Sequence, residues 1–170
     1  MYSLKFIQIS LLTVLIGLCN IQLHAEQSQT TKTLNKGIVK KDTLTAKSTH
    51  VYDISLAAEQ FVFGDAIQLS VDIVVSIYAP DGERIVSFDG PARGSESFQF
   101  TTTKAGKYQI KITPFEGADG DYSIELIKSE PVAKTASGKV SQLMSAYNDK
   151  TPGAVIAIAR GGKLVYGEGF

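Results

Sequence analysis

The spacing of apolar residues changes in kind along the chain, and each change marks a boundary. From Tyr52 onwards the apolar positions recur at every second residue. The series runs Tyr52, Ile54, Leu56; Phe61, Phe63; Ile67, Leu69, Val71; Ile73, Val75, Ile77; Phe98, Phe100; Tyr108, Ile110, Ile112; Tyr122, Ile124, Leu126. Successive side chains of a strand point to opposite faces, so each stretch has one apolar and one wetter side. Sheets built from such strands must cover their apolar sides against one another. Turn chemistry separates the strands: Ala79-Pro80-Asp81-Gly82, Asp89-Gly90-Pro91, Lys104-Ala105-Gly106 and Glu116-Gly117-Ala118-Asp119-Gly120. Proline fixes φ and glycine accepts a positive φ, the two demands of a tight reversal. The pattern predicts a mainly β fold, an antiparallel β-sandwich over residues 49–129.

After a linker at 130–136 the period lengthens. Ser137 is placed to cap a helix over 137–149, in which Val140, Leu143, Met144 and Tyr147 fall on one stripe. Thr151-Pro152-Gly153 ends it. A hairpin is predicted over 153–170: Ala154 to Ala159 is apolar on both faces, Gly161-Gly162 is a two-residue turn, and Lys163 to Gly167 returns. A helix and one hairpin cannot enclose a core, and a strand apolar on both faces needs neighbours. The expectation is that the sequence is the N-terminal part of a longer protein. The alternative is that helix and hairpin dock on the sandwich.

The amino-terminal stretch has no such rhythm. Residues 1–25 read as a signal peptide: Lys5 is followed by an apolar run from Phe6 to Cys19, and Leu23-His24-Ala25 offers a small residue at the cleavage point. The run is too short for a stable transmembrane span. Export to the periplasm or the exterior follows. Cys19 allows a second route, a lipid anchor, although Leu18 stands where a small residue is wanted. Cleavage after Ala25 removes Cys19 and His24 and leaves a chain without thiols. Residues 26–48 read as a polar leader, ending in one edge strand near Gly37 to Leu44.

Two resemblances follow from these elements. The stretch from Thr49-His50-Val51-Tyr52-Asp53-Ile54 through Ala79-Pro80-Asp81-Gly82 and Ala105-Gly106-Lys107-Tyr108 to Gly120-Asp121-Tyr122-Ser123-Ile124 resembles the pre-peptidase C-terminal (PPC) β-sandwich. That resemblance implies a non-catalytic accessory domain of a secreted hydrolase. Thr151-Pro152-Gly153-Ala154-Val155-Ile156-Ala157, with Gly162-Lys163-Leu164-Val165-Tyr166-Gly167-Glu168-Gly169-Phe170, resembles the opening of the β-lactamase-related serine hydrolases. It implies that residues 137–170 begin a truncated α/β hydrolase domain, whose reaction is acyl transfer through a serine ester on a β-lactam, a peptide or an ester.

The chemistry of that family is missing from this sequence. No Ser is followed three residues later by Lys, the spacing that puts base and nucleophile one helical turn apart. Tyr147-Asn148 lacks the Tyr-x-Asn spacing, and Lys150-Thr151 is followed by Pro152 rather than Gly. No catalytic residue can be assigned, and the chain alone is expected to be inactive. Its expected partners are its own missing catalytic domain and a cell-wall or small-molecule substrate. A secreted binding module that needs no nucleophile is the alternative; a surface structural protein is a third.

Charge and composition narrow the classes further. Lys+Arg and Asp+Glu both count 17, so the net charge is zero, which argues against a nucleic-acid partner. No cofactor is expected. Asp119 and Asp121, with Glu116 and Asp81 or Asp89 nearby, are the candidate calcium ligands, though acidic glycine-rich turns are ordinarily just turns. His50 is expected at the surface; Tyr78 could contact a peptide or sugar, with core packing or simple surface exposure the preferred readings.

Overall fold

The computed structural model describes residues 29–147 and 153–170. The signal segment with Cys19 and the Thr151-Pro152 stop lie outside the described residues.

The strands are β1 (Gln29–Thr33), β2 (Lys40–Leu44), β3 (Thr49–Leu56), β4 (Gln60–Gln68), β5 (Ile73–Tyr78) and β6 (Arg84–Phe88). They continue with β7 (Gly94–Thr101), β8 (Gly106–Pro114) and β9 (Gly120–Pro131). Helix α1 (Ala136–Leu143) and the strands β10 (Val155–Arg160) and β11 (Lys163–Gly169) complete the chain. One sheet has the order β1-β3-β8-β5-β6, a second has β2-β9-β4-β7, and β10-β11 form a separate hairpin. The fold is an antiparallel β-sandwich followed in the chain by a helix and a separate hairpin. Its only parallel pairing among the named strands is β1 on β3.

The interior is built as the alternation requires. Tyr52, Ile54, Ile73, Val75, Ile77, Ile110 and Ile112 from the first sheet meet Val62, Phe98, Tyr122, Ile124 and Leu126 from the second. Strand β4 departs from the expected facing. Val62 and Ala66 enter the central cluster, whereas Phe61 and Phe63 are buried outside it. The alternation of Phe61 and Phe63 with Gln60 and Val62 puts the two phenylalanines on the core side instead. Gly64 explains why this strand carries so little bulk on its inner side: a Cβ there would lie 2.2 Å from Phe98 Cζ and 2.6 Å from the Glu125 carbonyl oxygen. The Phe98 ring fills the space that a side chain at 64 would need.

The turns that carry the PPC resemblance sit together. The Gly82 amide donates to the Ala79 carbonyl at 2.9 Å, and Gly82 has φ +86°. Across from it, the Tyr108 hydroxyl donates to the Lys104 carbonyl at 2.8 Å. A Cβ on Gly106 would strike Pro80 Cγ at 2.6 Å, and Lys104 is ion-paired with Asp81. Proline of one turn therefore packs on glycine of the other, which ties the two short motifs into one corner.

The leader region holds two strands. Besides β2, near the expected edge strand, Gln29–Thr33 forms β1, which periodicity does not reveal because its residues are nearly all exposed. It is fixed by its pairing with β3 and by Leu34, which is 3% exposed and whose amide donates to the Asp53 carbonyl. Helix α1 is also shorter than the stripe suggests. Thr135, not Ser137, is the cap, its Oγ1 accepting from the Gly138 amide at 3.1 Å. Beyond Leu143 the chain tightens to i→i+3 bonds, Ser145 to Gln142 and Tyr147 to Met144. The hairpin turn at Gly161 and Gly162 has positive φ at both residues (58° and 74°), the geometry that a two-residue reversal needs.

Candidate functional site

His50 corrects the surface expectation. It is 6% exposed, because residues 50, 52 and 54 share the inward face of β3. There it joins a chain of polar groups that crosses from one sheet to the other. His50 Nδ1 lies 2.8 Å from the Tyr122 hydroxyl, which lies 2.7 Å from the Tyr52 hydroxyl. The Tyr52 hydroxyl donates to Asp42 Oδ2 at 3.3 Å. Lys32 pairs with the same carboxylate, and His50 Nδ1 is 3.5 Å from it.

One proton assignment satisfies every link. Tyr52 has a single hydroxyl proton and gives it to Asp42. Tyr122 must then donate to Tyr52, and His50 must donate to Tyr122 from Nδ1. The chain runs head to tail from a neutral imidazole to a carboxylate. Burial pushes the His50 pKa down, and the nearby Lys32 charge adds to the effect. Burial likewise raises the Tyr52 and Tyr122 phenols, so both stay protonated. Burial also lowers Lys32, with Lys40 contributing. Tyr52 and Lys32 belong to the first sheet, Tyr122 and Asp42 to the second. The cluster acts as a clamp, joining the edge strands β1 and β2 to the sandwich. The signal for it was present in the alternation of 50, 52 and 54, and in Asp42 on the one leader strand that the sequence suggested.

The calcium candidates are dispersed over structural tasks. Asp119 accepts a hydrogen bond from the Ala46 amide, and Asp121 Oδ1 accepts one from Thr43 Oγ1 at 2.6 Å. Glu116 stands in the short 3₁₀ turn Phe115–Gly117 with φ 52°. Asp81 holds the Glu83 amide and Lys104. Among the described residues, no group of three His, Cys, Asp or Glu comes together to hold a metal ion. Tyr78 carries the Lys111 ammonium 4.2 Å above its ring.

A second polar cluster lies across the second sheet from the first, beyond Gln68, which pairs with Tyr122. Glu96 is 6% exposed and accepts from the Gly90 amide at 2.7 Å. Its pKa is raised by burial, with Asp89, Asp72 and Asp65 adding like charge. Gln68 bridges the Ile73 amide and the Pro91 carbonyl, 3.0 and 2.8 Å away. These contacts secure the loop between β6 and β7.

Helix α1 turns polar atoms towards the sandwich. Gln142 accepts from the Ala133 amide at 3.0 Å and donates to Glu130 Oε1 and the Pro131 carbonyl. Lys128 donates to Ser145 Oγ at 3.1 Å. Half of the predicted apolar stripe is left outside: Leu143 is 60% and Tyr147 44% exposed. The hairpin is barer still, with Val155 at 79%, Leu164 at 68%, Val165 at 60% and Ile158 at 41%. Val155 and Ile158 are on opposite faces of β10, so neither face is covered.

Among the described residues, no helix is long and apolar enough to cross a membrane. No family model matches the chain, and no curated protein sequence matches it. Solved structures do. The periplasmic lysozyme inhibitor PliG of Aeromonas hydrophila, an inhibitor of g-type lysozyme, aligns over 58% of this chain and 97% of its own at 16% identity, with a TM-score of 0.48. The pre-peptidase C-terminal domain of the Bacillus anthracis collagenase aligns over 59% and 95% at 15% identity, with a TM-score of 0.43. PliG of Salmonella Typhimurium aligns over 58% and 97% at 14% identity, with a TM-score of 0.44. The chain is similar to these small proteins over a little more than half its length, while its assignment as an antiparallel β-sandwich rests on its own strand order and core.

Proposed function

We propose that the chain acts as an exported, non-catalytic β-sandwich module that presents binding surface rather than chemistry. The observation that supports this is the fate of its reactive side chains. His50, Tyr52, Tyr122 and Asp42 are spent on one another in a buried clamp, while the unsatisfied apolar surface lies outside, on α1 and the hairpin. Residues 1–25 supply the route out of the cytoplasm. The purified chain, incubated with nitrocefin and with a p-nitrophenyl ester, is expected to give background rates only. An enzyme-dependent burst of either product refutes the module.

A second, finer reading is favoured by the hairpin. A strand pair bare on both faces suits the opening of a larger sheet, as the resemblance of residues 137–170 to β-lactamase-related serine hydrolases implies. In this reading the sandwich is the accessory domain and the acyl-serine chemistry belongs to a following unit. The codons after Phe170 test it: Ser-x-x-Lys within a few dozen residues supports the hydrolase, and an immediate stop refutes it.

A further inference from the structure

A groove of about 340 Å³ runs between helix α1 and the outer face of β4 and β7. Phe61, Val132 and Leu143 make its apolar walls, and Gln99 and Lys139 are among its polar members. Three features give it a chemical preference. The volume suits one or two residues rather than a helix, which needs a long trough. Among the described residues Gln99 Oε1 is buried without a hydrogen-bond partner, a state that costs stability until a donor arrives. Lys134 and Lys139 border the adjoining hollow at the helix start, with Glu59 as its one acidic member, and neither lysine is ion-paired among the described residues.

An apolar slot, one orphan acceptor and a rim in which two lysines outnumber one glutamate describe a complementary ligand. It carries an apolar side chain, an N–H and a carboxylate on neighbouring atoms. We propose that the groove binds the carboxyl-terminal residue of a peptide whose last side chain is apolar. The side chain lies between Phe61 and Leu143. The residue's amide N–H reaches Gln99 Oε1 after rotation of that side chain, and its carboxylate meets Lys134 and Lys139. Strand β7 is the outer strand of its sheet, so the preceding peptide residues have a free edge beside the groove. This deepens the binding-module reading and rests on it.

The probe is N-acetyl-leucine, titrated into the ¹⁵N-labelled full chain, with N-acetyl-leucinamide, N-acetylglycine and decanoate as comparisons. Saturable shifts are expected at Thr101, Val132, Lys139 and Leu143, with millimolar affinity, about −4 kcal/mol at 1 mM. Binding should weaken at least fivefold for the amide and fail to saturate for N-acetylglycine. The doubly substituted Lys134→Gln/Lys139→Gln chain, altered only at exposed positions, should bind acid and amide alike. Gln99→Met should weaken both. Silence at about 20 mM, equal affinity for acid and amide in the unmodified chain, or tighter binding of decanoate overturns the proposal. So does a concentration-dependent shift of the same amides without ligand, which would mean that a second copy fills the groove. Silence with no nitrocefin turnover removes the groove alone and leaves the module standing. Nitrocefin turnover removes the module whatever the groove binds.

Discussion

Replacing Tyr122 by Phe takes one oxygen atom from the middle of the clamp and changes little else. The residue is fully buried, so no water can take the vacated place without entering the core. Two hydrogen bonds disappear, those to His50 at 2.8 Å and to Tyr52 at 2.7 Å. Each is worth about 1 kcal/mol net, and the stranded His50 N–H adds an unmet desolvation cost of about 1–3 kcal/mol. The total destabilisation is about 3–5 kcal/mol. With a urea m-value of about 2 kcal/mol/M, the unfolding midpoint should fall by about 1.5–2.5 M at unchanged m. Tyr52→Phe should cost a similar amount, through the links to Tyr122 and Asp42. Because the two hydroxyls share one bond, the double substitution should cost less than the sum of the singles, by about 1 kcal/mol or more. The assay is urea unfolding of all four chains by circular dichroism at pH 7.5. A Tyr122→Phe midpoint within about 0.25 M of the parent, or strict additivity in the cycle, would refute the head-to-tail chain.

Further outcomes can be checked on the same protein. The His50 pKa is lowered on folding from its ordinary value of 6.5, so the unfolded chain binds the proton more tightly; its contribution to stability is complete above pH 6.5 and is lost as pH falls towards the folded value, and His50→Gln should flatten that limb of the stability–pH curve. Glu96 has the opposite sense for an acid: burial raises its pKa above 4.5, so stability falls as pH rises through the folded value, and Glu96→Gln should reduce the loss measured between pH 4 and 7. Gly64→Ala should cost about 3 kcal/mol or prevent folding, because the new methyl meets the Phe98 ring and the Glu125 carbonyl; thermal unfolding decides, and a loss under about 1 kcal/mol contradicts the packing. In hydrogen exchange, amides of β3, β8 and β9 should remain protected for hours while those of β10 and β11 exchange within minutes; equal protection contradicts a bare hairpin.

The sandwich was legible because its strands obey one rule. Wherever one face is buried and the other wet, alternation writes the pairing into the sequence, as in Tyr108-Ile110-Ile112 and Tyr122-Ile124-Leu126. The rule failed where a strand is covered on both sides or on neither. Strand β4 buries Phe61 and Phe63 outside the central cluster and Val62 and Ala66 within it, so the larger side chains pointed to the wrong face. Strand β1 buries almost nothing and left no trace. The clamp was hidden for another reason: Lys32, Asp42 and Tyr122 are distant in sequence, and only the stacking of the two sheets brings them to His50. A polar residue on an apolar face was one available sign, carried by His50 at the head of Tyr52 and Ile54, and Asp42 on the leader strand was the other.

The same physics explains why the two ends of this chain differ. In the sandwich, the inner faces of the two sheets meet, and the polar groups trapped between them, from His50 to Asp42, complete a closed series of donors and acceptors. Helix α1 meets the sandwich through Gln142 and Ser145, polar contacts worth about 1 kcal/mol each. Its Leu143 and Tyr147 contribute little there, and Val155, Leu164 and Val165 contribute nothing. Burying one such side chain is worth about 1.5–3 kcal/mol. A partner that covers the hairpin and the stripe of α1 therefore gains more than the present docking holds. Because Leu143 and Tyr147 are exposed while α1 stays docked, such a partner can cover them without displacing the helix from the sandwich.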